Sequence, residues 1–172
     1  GWGEVALRLG LAALAGIVIG FNRGRHGRAA GLRTMMFVCL AAAVSMVLAN
    51  FIAIAAANNS GATLRIEPLR LPLGILTGIG FLGAGAIVRR GDLTRGVTTA
   101  ATIWFVTVIG LCFGGGYILL GLVSSGFAIF ALWVLPIPEH YIDQDRNGVV
   151  TVITRVDGLN EDQLRQRLAA LH

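Results

Sequence analysis

The stretch VALRLGLAALAGIVIGF at residues 5–21, NRGRHGRAAG at 22–31 and LRTMMFVCLAAAVSMVLANFIAIAAA at 32–57 decides the fold. Two apolar runs flank a loop dense in arginine. Each run reaches ~17 residues or more, the minimum to cross a ~30 Å hydrocarbon core at a rise of ~1.5 Å per residue. Backbone in lipid has to satisfy its own hydrogen bonds, so both runs read as transmembrane helices. The pattern recurs downstream at residues 71–88, 97–113 and 117–135. The sequence therefore predicts an all-α transmembrane bundle of about five helices, residues 1–136, contacting the lipid bilayer.

Composition agrees. The 172-residue chain is 55% hydrophobic and only 13% charged, about half the charge of an ordinary soluble domain. All 14 basic residues are arginine. Without lysine, no site that needs an amine can form, and cationic chemistry is limited to the planar, bidentate recognition of phosphate or carboxylate. Cys39 and Cys112 lie inside apolar runs and read as small buried hydrophobes. The chain opens at Gly1 rather than Met, which predicts trimming. No cleavable signal peptide is expected, because the first run lacks a basic flank before it and a small-residue cleavage site after it.

Arginine placement sets an orientation. The first loop holds Arg23, Arg25, Arg28 and Arg33, and the third holds Arg89, Arg90 and Arg95. The second holds Arg65 and Arg70 opposed by Glu67, and the fourth, Gly114-Gly115-Gly116, is uncharged. The positive-inside rule places loops one and three in the cytoplasm, the N-terminus outside and the C-terminus inside.

Small residues recur at four-residue spacing: Ala12, Gly16 and Gly20; Gly74 and Gly78; Gly110 and Gly114. Such stripes let helices approach closely in lipid, within one chain or between subunits of an oligomer. The run Gly78-Ile79-Gly80-Phe81-Leu82-Gly83 matches the dinucleotide fingerprint, but that motif needs a preceding strand in a soluble βαβ unit. Inside a span, Gly78, Gly80, Gly83 and Gly85 are expected to serve close helix packing or a broken helix beside a cavity.

Three polar groupings stand out. Asn22, Arg23, Arg33 and Thr34 flank the first loop, and if they face inward they form a polar site at the cytoplasmic mouth. Arginines held at helix ends suit a phosphate or carboxylate; as a bland alternative, the run is a positive-inside anchor on anionic headgroups. Thr98, Thr99 and Thr102 open the fourth run and are expected at the same mouth, either bonding their own helix carbonyls or bridging helices. Glu67 and Arg70 form a polar pair at the outer mouth. No catalytic constellation, metal site, cofactor motif or nucleic-acid signature is present, so an enzyme is not expected and an intramembrane enzyme is the weakest reading. His26, His140 and His172 are scattered.

After Pro136 and Pro138 the character changes. Residues 148–156 alternate like a strand, Asp157-Gly158 is a turn, and Asn160 can cap a helix bearing Leu164, Leu168 and Leu171. One strand and one helix cannot bury a core alone. Residues 137–172 are thus expected to begin a small α+β cytoplasmic tail that lies partly outside this stretch or is completed by a second chain.

Three blocks taken together resemble the MgtC/SapB family: Ala30-Gly31-Leu32-Arg33-Thr34, then Gly78 through Gly85, then Gly96-Val97-Thr98-Thr99-Ala100-Ala101-Thr102-Ile103-Trp104. The resemblance covers residues 1–135. It implies a multi-pass protein of the bacterial inner membrane, linked to growth under low magnesium. It further implies a regulatory role exerted by binding other membrane proteins, the ATP synthase among them, and an ACT-like fold for the tail. Family members often carry Glu-Arg after the first helix, where this chain has Asn22-Arg23, and Asp-Pro-x-Arg where it has Glu67-Pro68-Leu69-Arg70. The expected function is a non-enzymatic regulatory membrane protein of this type, oligomeric, linked to magnesium or phosphate homeostasis. The alternative is a small transporter or channel for an ion or anionic solute.

Overall fold

A computed structural model of the chain describes residues 1–25, 27–58, 70–90 and 93–135. Five helices and one hairpin follow in order: α1 (Trp2–Arg25), α2 (Leu32–Asn58), α3 (Arg70–Gly85), β1 (Val88–Arg90), β2 (Leu93–Arg95), α4 (Val97–Gly114) and α5 (Ile118–Val134). The described elements all belong to one unit, Gly1–Tyr141. The expected α+β tail lies outside the described residues.

Helices α1, α2 and α4 are long and apolar enough to cross a membrane. The third apolar run stops short of its expected extent: α3 has 16 residues and ends at Gly85, and Val88 pairs instead with Arg95 in the antiparallel β1–β2 hairpin. α5 has 17 residues. The third loop is therefore a hairpin, and β2 feeds α4 through Gly96, whose φ of 94° is open to glycine without strain. A Cβ there would also collide with the Ala86 carbonyl.

Local chemistry also explains the helix ends. Gly27 at φ 60° closes α1 while Arg28 N–H donates to the Arg23 carbonyl at 3.2 Å and Gly27 N–H to the Gly24 carbonyl at 3.1 Å. This is the Schellman arrangement, which satisfies carbonyls left over by the last turn. α4 ends the same way: Gly116 sits at φ 88°, and Tyr117 N–H donates to the Cys112 carbonyl at 2.9 Å.

α4 is the centre of the bundle, in contact with each of the other four helices. Val106, Thr107, Ile109 and Phe113 from α4 are fully buried, together with Ile19 of α1 and Met35 and Cys39 of α2. Glycines bring the backbones together. A Cβ added at Gly16 would lie 2.7 Å from the Met36 Cα, and one at Gly20 would lie 2.6 Å from the Leu32 Cα. Gly110 faces the Cys39 carbonyl and Gly114 the Ala43 carbonyl, while Gly121 of α5 receives the Phe113 ring. Within the chain the third-helix glycines make no comparably close approach. Gly74, Gly78, Gly80 and Gly85 meet nothing within 4 Å, and Gly83 makes only an ordinary contact, 3.5 Å from the Ala100 Cβ. Nor is the helix broken there, since α3 runs through the glycines without interruption.

The outward faces of the helices are largely apolar between their ends, with Leu14, Phe37, Phe81, Leu119 and Phe127 all exposed. Water does not tolerate apolar patches of that extent, and lipid solvates them. The chain is a membrane protein.

Candidate functional site

Two arginines of α1 reach the two ends of α4. Near the start of α1, Arg8 donates from Nη1 to the Gly114 carbonyl at 3.3 Å and pairs through Nη2 with Glu4 one turn back. Its guanidinium lies over the backbone of Gly116, where a Cβ would come within 2.8 Å of Nη2. Asn50 of α2 also donates to the Gly114 carbonyl, at 3.5 Å. The cation thus sits at the negative end of the α4 dipole, on a helix-terminal carbonyl and beside a carboxylate.

At the other end of α1, Arg23 is 3% exposed. Its Nη2 donates to the hydroxyl of Thr99, in the first turn of α4. Its Nε is buried with no hydrogen-bond partner. This cation faces the positive end of the same helix, the reverse of Arg8. Gly96 supplies no side-chain cap to α4. Among the described residues Glu4 is the only carboxylate, and it serves Arg8.

Of the polar mouth expected from the sequence, the structure joins Arg23 to Thr99 and buries Asn22 and Thr102 as well. Asn22, Arg23, Thr99 and Thr102 are buried at 8%, 3%, 3% and 8% exposure. Arg33, Thr34 and Thr98 do not join them: all three are exposed. Geometry explains the difference. Gly20 and Gly16 seat α1 against Leu32, Met35 and Met36, so the face of α2 that carries Arg33 and Thr34 turns outward. Thr102 donates to the Thr98 carbonyl at 2.6 Å, the local bond that threonines make in membrane helices. Arg70 opens α3 and is exposed; its expected partner Glu67 lies outside the described residues.

Sequence reasoning passed over Arg8 and Asn50, and gave Gly96 and Gly116 no structural role. Arg8 carried a signal: an arginine inside an apolar run is costly and needs a partner, and Glu4 stands one helical turn before it. Cys39 and Cys112 are free and buried, and no group of metal-ligating side chains occurs among the described residues.

The end bearing Arg23 also gathers five further arginines. Gly20 meets Gly31 and Leu32, and Gly96 meets Ala86 and Ile87, so the first loop and the hairpin share that end. Arg25, Arg28 and Arg33 thus lie with Arg89 and Arg95, opposite the uncharged turn at Gly115 and Gly116.

Comparison with known proteins places this arrangement in a family. The chain is 34% identical over 168 residues to SapB of Bacillus subtilis strain 168, covering 96% of this chain and 71% of that protein. It is 37% identical over 139 residues to SrpB of Synechococcus elongatus, covering 76% and 74% respectively. It is 39% identical over 118 residues to MgtC of Brucella abortus strain 2308, covering 69% of this chain and 45% of that protein. No solved structure matches the chain. The family model that matches, the MgtC family, spans residues 9–141, which include both ends of α4, Arg23, Thr99 and the hairpin. The chain belongs to the MgtC family.

Proposed function

We propose that the chain is a non-enzymatic, regulatory protein of the bacterial inner membrane, linked to magnesium or phosphate homeostasis through other membrane proteins. The observation that supports this reading best is the packing of α1, α2 and α4. At Gly16, Gly20, Gly110 and Gly114 a single added carbon would strike neighbouring backbone. Interfaces closed by backbone contact suit a rigid bundle that presents surfaces, and they leave no width for an ion path between those helices. Five crossings, with α3 and α5 spanning beside the three longer helices, fit the antiparallel order. The arginine-rich end then faces the cytoplasm and the N-terminus faces outside.

The magnesium link is supported by family membership and by a relative, YhiD of Escherichia coli K12, whose name presents it as a candidate magnesium transporter. The chain spans 60% of that protein. Exposed Gly74, Gly78 and Gly85 on α3 suit a homo-oligomer contact, and exposed Arg33 is available to a partner or a headgroup. The ATP synthase is one partner that the family resemblance suggests.

A transporter is the second reading. Polar groups at both ends of α4 favour it, and the close packing between those ends opposes it. Affinity purification from membranes of cells grown at low and at high magnesium tests the proposal. Membrane-protein partners should be recovered in stoichiometric amounts, and Arg33→Ala should weaken that recovery while the variant still inserts. Recovery of the chain alone under both conditions would count against a partner-mediated role.

A further inference from the structure

We propose that Arg23, the Thr99 hydroxyl and the uncapped first turn of α4 form a binding site for a phosphate-type oxyanion, carried either by free phosphate or by a phospholipid headgroup.

Four observations converge. Arg23 is a cation at 3% exposure, and a buried charge is costly unless paired. Its Nε is buried and donates to nothing. It lies against the N-terminal turn of an 18-residue helix, whose dipole places a further partial positive charge at that point. No carboxylate among the described residues shares that end, since Glu4 is held by Arg8 at the other. Two positive groups packed together repel, and an anion beside them reverses the sign of that interaction.

The donors present match a tetrahedral oxyanion. Nε–H and an Nη N–H of one guanidinium form a fork suited to two oxygens. The backbone N–H groups of Val97, Thr98 and Thr99 have no acceptor inside their helix, and helix N-termini of this kind accept phosphate. Gly96 lends no side-chain cap, so nothing from its own side chain competes for them. Its left-handed turn brings β2 directly into α4 and sets where the first turn begins. The exposed Arg25, Arg28 and Arg95 add a positive field that concentrates anions at this end. The Asn22 side chain, next to Arg23, brings no negative charge that would repel an anion.

This inference goes beyond the partner-mediated reading and does not depend on it: a chain that binds no oxyanion could still recruit a membrane partner. The test uses the purified chain, delipidated in neutral detergent. Thermal unfolding is followed by tryptophan fluorescence in sodium phosphate and in sodium chloride of equal ionic strength. Retained phospholipid is measured by native mass spectrometry before delipidation. Variants are Thr99→Val, Thr99→Ser and Arg23→Gln, with the exposed Arg28→Gln as control.

If free phosphate is the ligand, Tm rises saturably with phosphate and not with chloride. Thr99→Val shifts the midpoint about tenfold higher, the effect of losing a hydrogen bond to a charged group. Thr99→Ser restores it, and Arg28→Gln, which removes only an exposed and screened part of the surrounding field, shifts it no more than about twofold. If a headgroup is the ligand, one phospholipid stays with the wild type and with Arg28→Gln but is lost from Thr99→Val, and phosphate acts only after delipidation. Should Arg23→Gln fail to fold, the Thr99 pair carries the result. Equal responses to phosphate and chloride with no retained lipid would overturn the proposal, as would a phosphate response that Thr99→Val leaves unaltered.

Discussion

Arg8 and Arg23 project from one helix to opposite ends of another, Arg8 to the Gly114 carbonyl that closes α4 and Arg23 to the Thr99 hydroxyl in its first turn. The two contacts fix the register of α1 against α4 over nearly the whole length of the bundle. They also hold α1 antiparallel to α4, as an odd and an even span must be.

The Arg8 contact brings together the Glu4 carboxylate, the Gly114 carbonyl and the favourable sign of the helix dipole, and leaves only its buried Nε without a partner. Replacing Arg8 with Gln should destabilise the folded protein by about 1–3 kcal/mol, the range for a hydrogen bond to a charged group and the group it leaves unsatisfied. Asn50→Ala should cost less on its own. The double variant should lose less than the sum, because both side chains converge on Gly114. Unfolding in mixed detergent micelles measures all three.

Glycines separate into two functional sets. Gly110→Ala drives a methyl into the Cys39 carbonyl and should destabilise by about 1–3 kcal/mol through overpacking. Gly78→Ala meets open space and should leave the monomer as stable or slightly more so, given the better helix propensity of alanine. If α3 forms a subunit contact, Gly78→Ala should instead weaken crosslinking between chains in membranes. Monomer Tm and crosslinking yield together distinguish the two outcomes.

Gly96→Ala combines a positive φ with a collision against Ala86. It should lower stability by at least about 1 kcal/mol from the backbone conformation alone. It should also displace Thr99 from Arg23, so any phosphate-dependent rise in Tm should be lost along with it. A Gly96→Ala protein as stable as wild type would show that the hairpin-to-helix turn is not held as described.

Much of the fold was legible in sequence because lipid imposes a simple rule. Long apolar runs have to be helices, and α1, α2 and α4 follow. Arginine-rich loops marked the end where Arg23 lies. Three features were not legible, and each has a physical cause. The β1–β2 hairpin is only three residues to a strand, and its Val88 and Leu93 read as ordinary apolar neighbours of a span. The outward turn of Arg33 depends on which face of α2 receives Gly16 and Gly20, and a nearly uniformly apolar helix does not encode that in its pattern. The glycines of α3, which make no close approach within the chain, look the same in sequence as the packed glycines of α4, since spacing states what could approach and the partner decides what does. Asn22, Arg23, Thr99 and Thr102 could be named from residue type and position at helix ends. The opposed dipole relationships of Arg8 and Arg23 needed the structure.

Orientation in the membrane can be read with single cysteines in a background lacking Cys39 and Cys112. Arg28→Cys should react with an impermeant maleimide only from the cytoplasmic side, and Tyr117→Cys only from the outside. In the wild-type chain the native cysteines, buried in the folded bundle, should label slowly until the protein is unfolded. Labelling of both engineered positions from one side would overturn the antiparallel, five-crossing arrangement.

The central claim is that this bundle acts on other membrane proteins and does not itself conduct. Flux into proteoliposomes tests it most directly, with the purified wild-type chain alone and magnesium or phosphate supplied outside under an imposed gradient. The account predicts uptake no faster than in protein-free liposomes. Saturable uptake of either solute that is abolished by Arg23→Gln or Arg8→Gln would contradict it and establish the transporter reading.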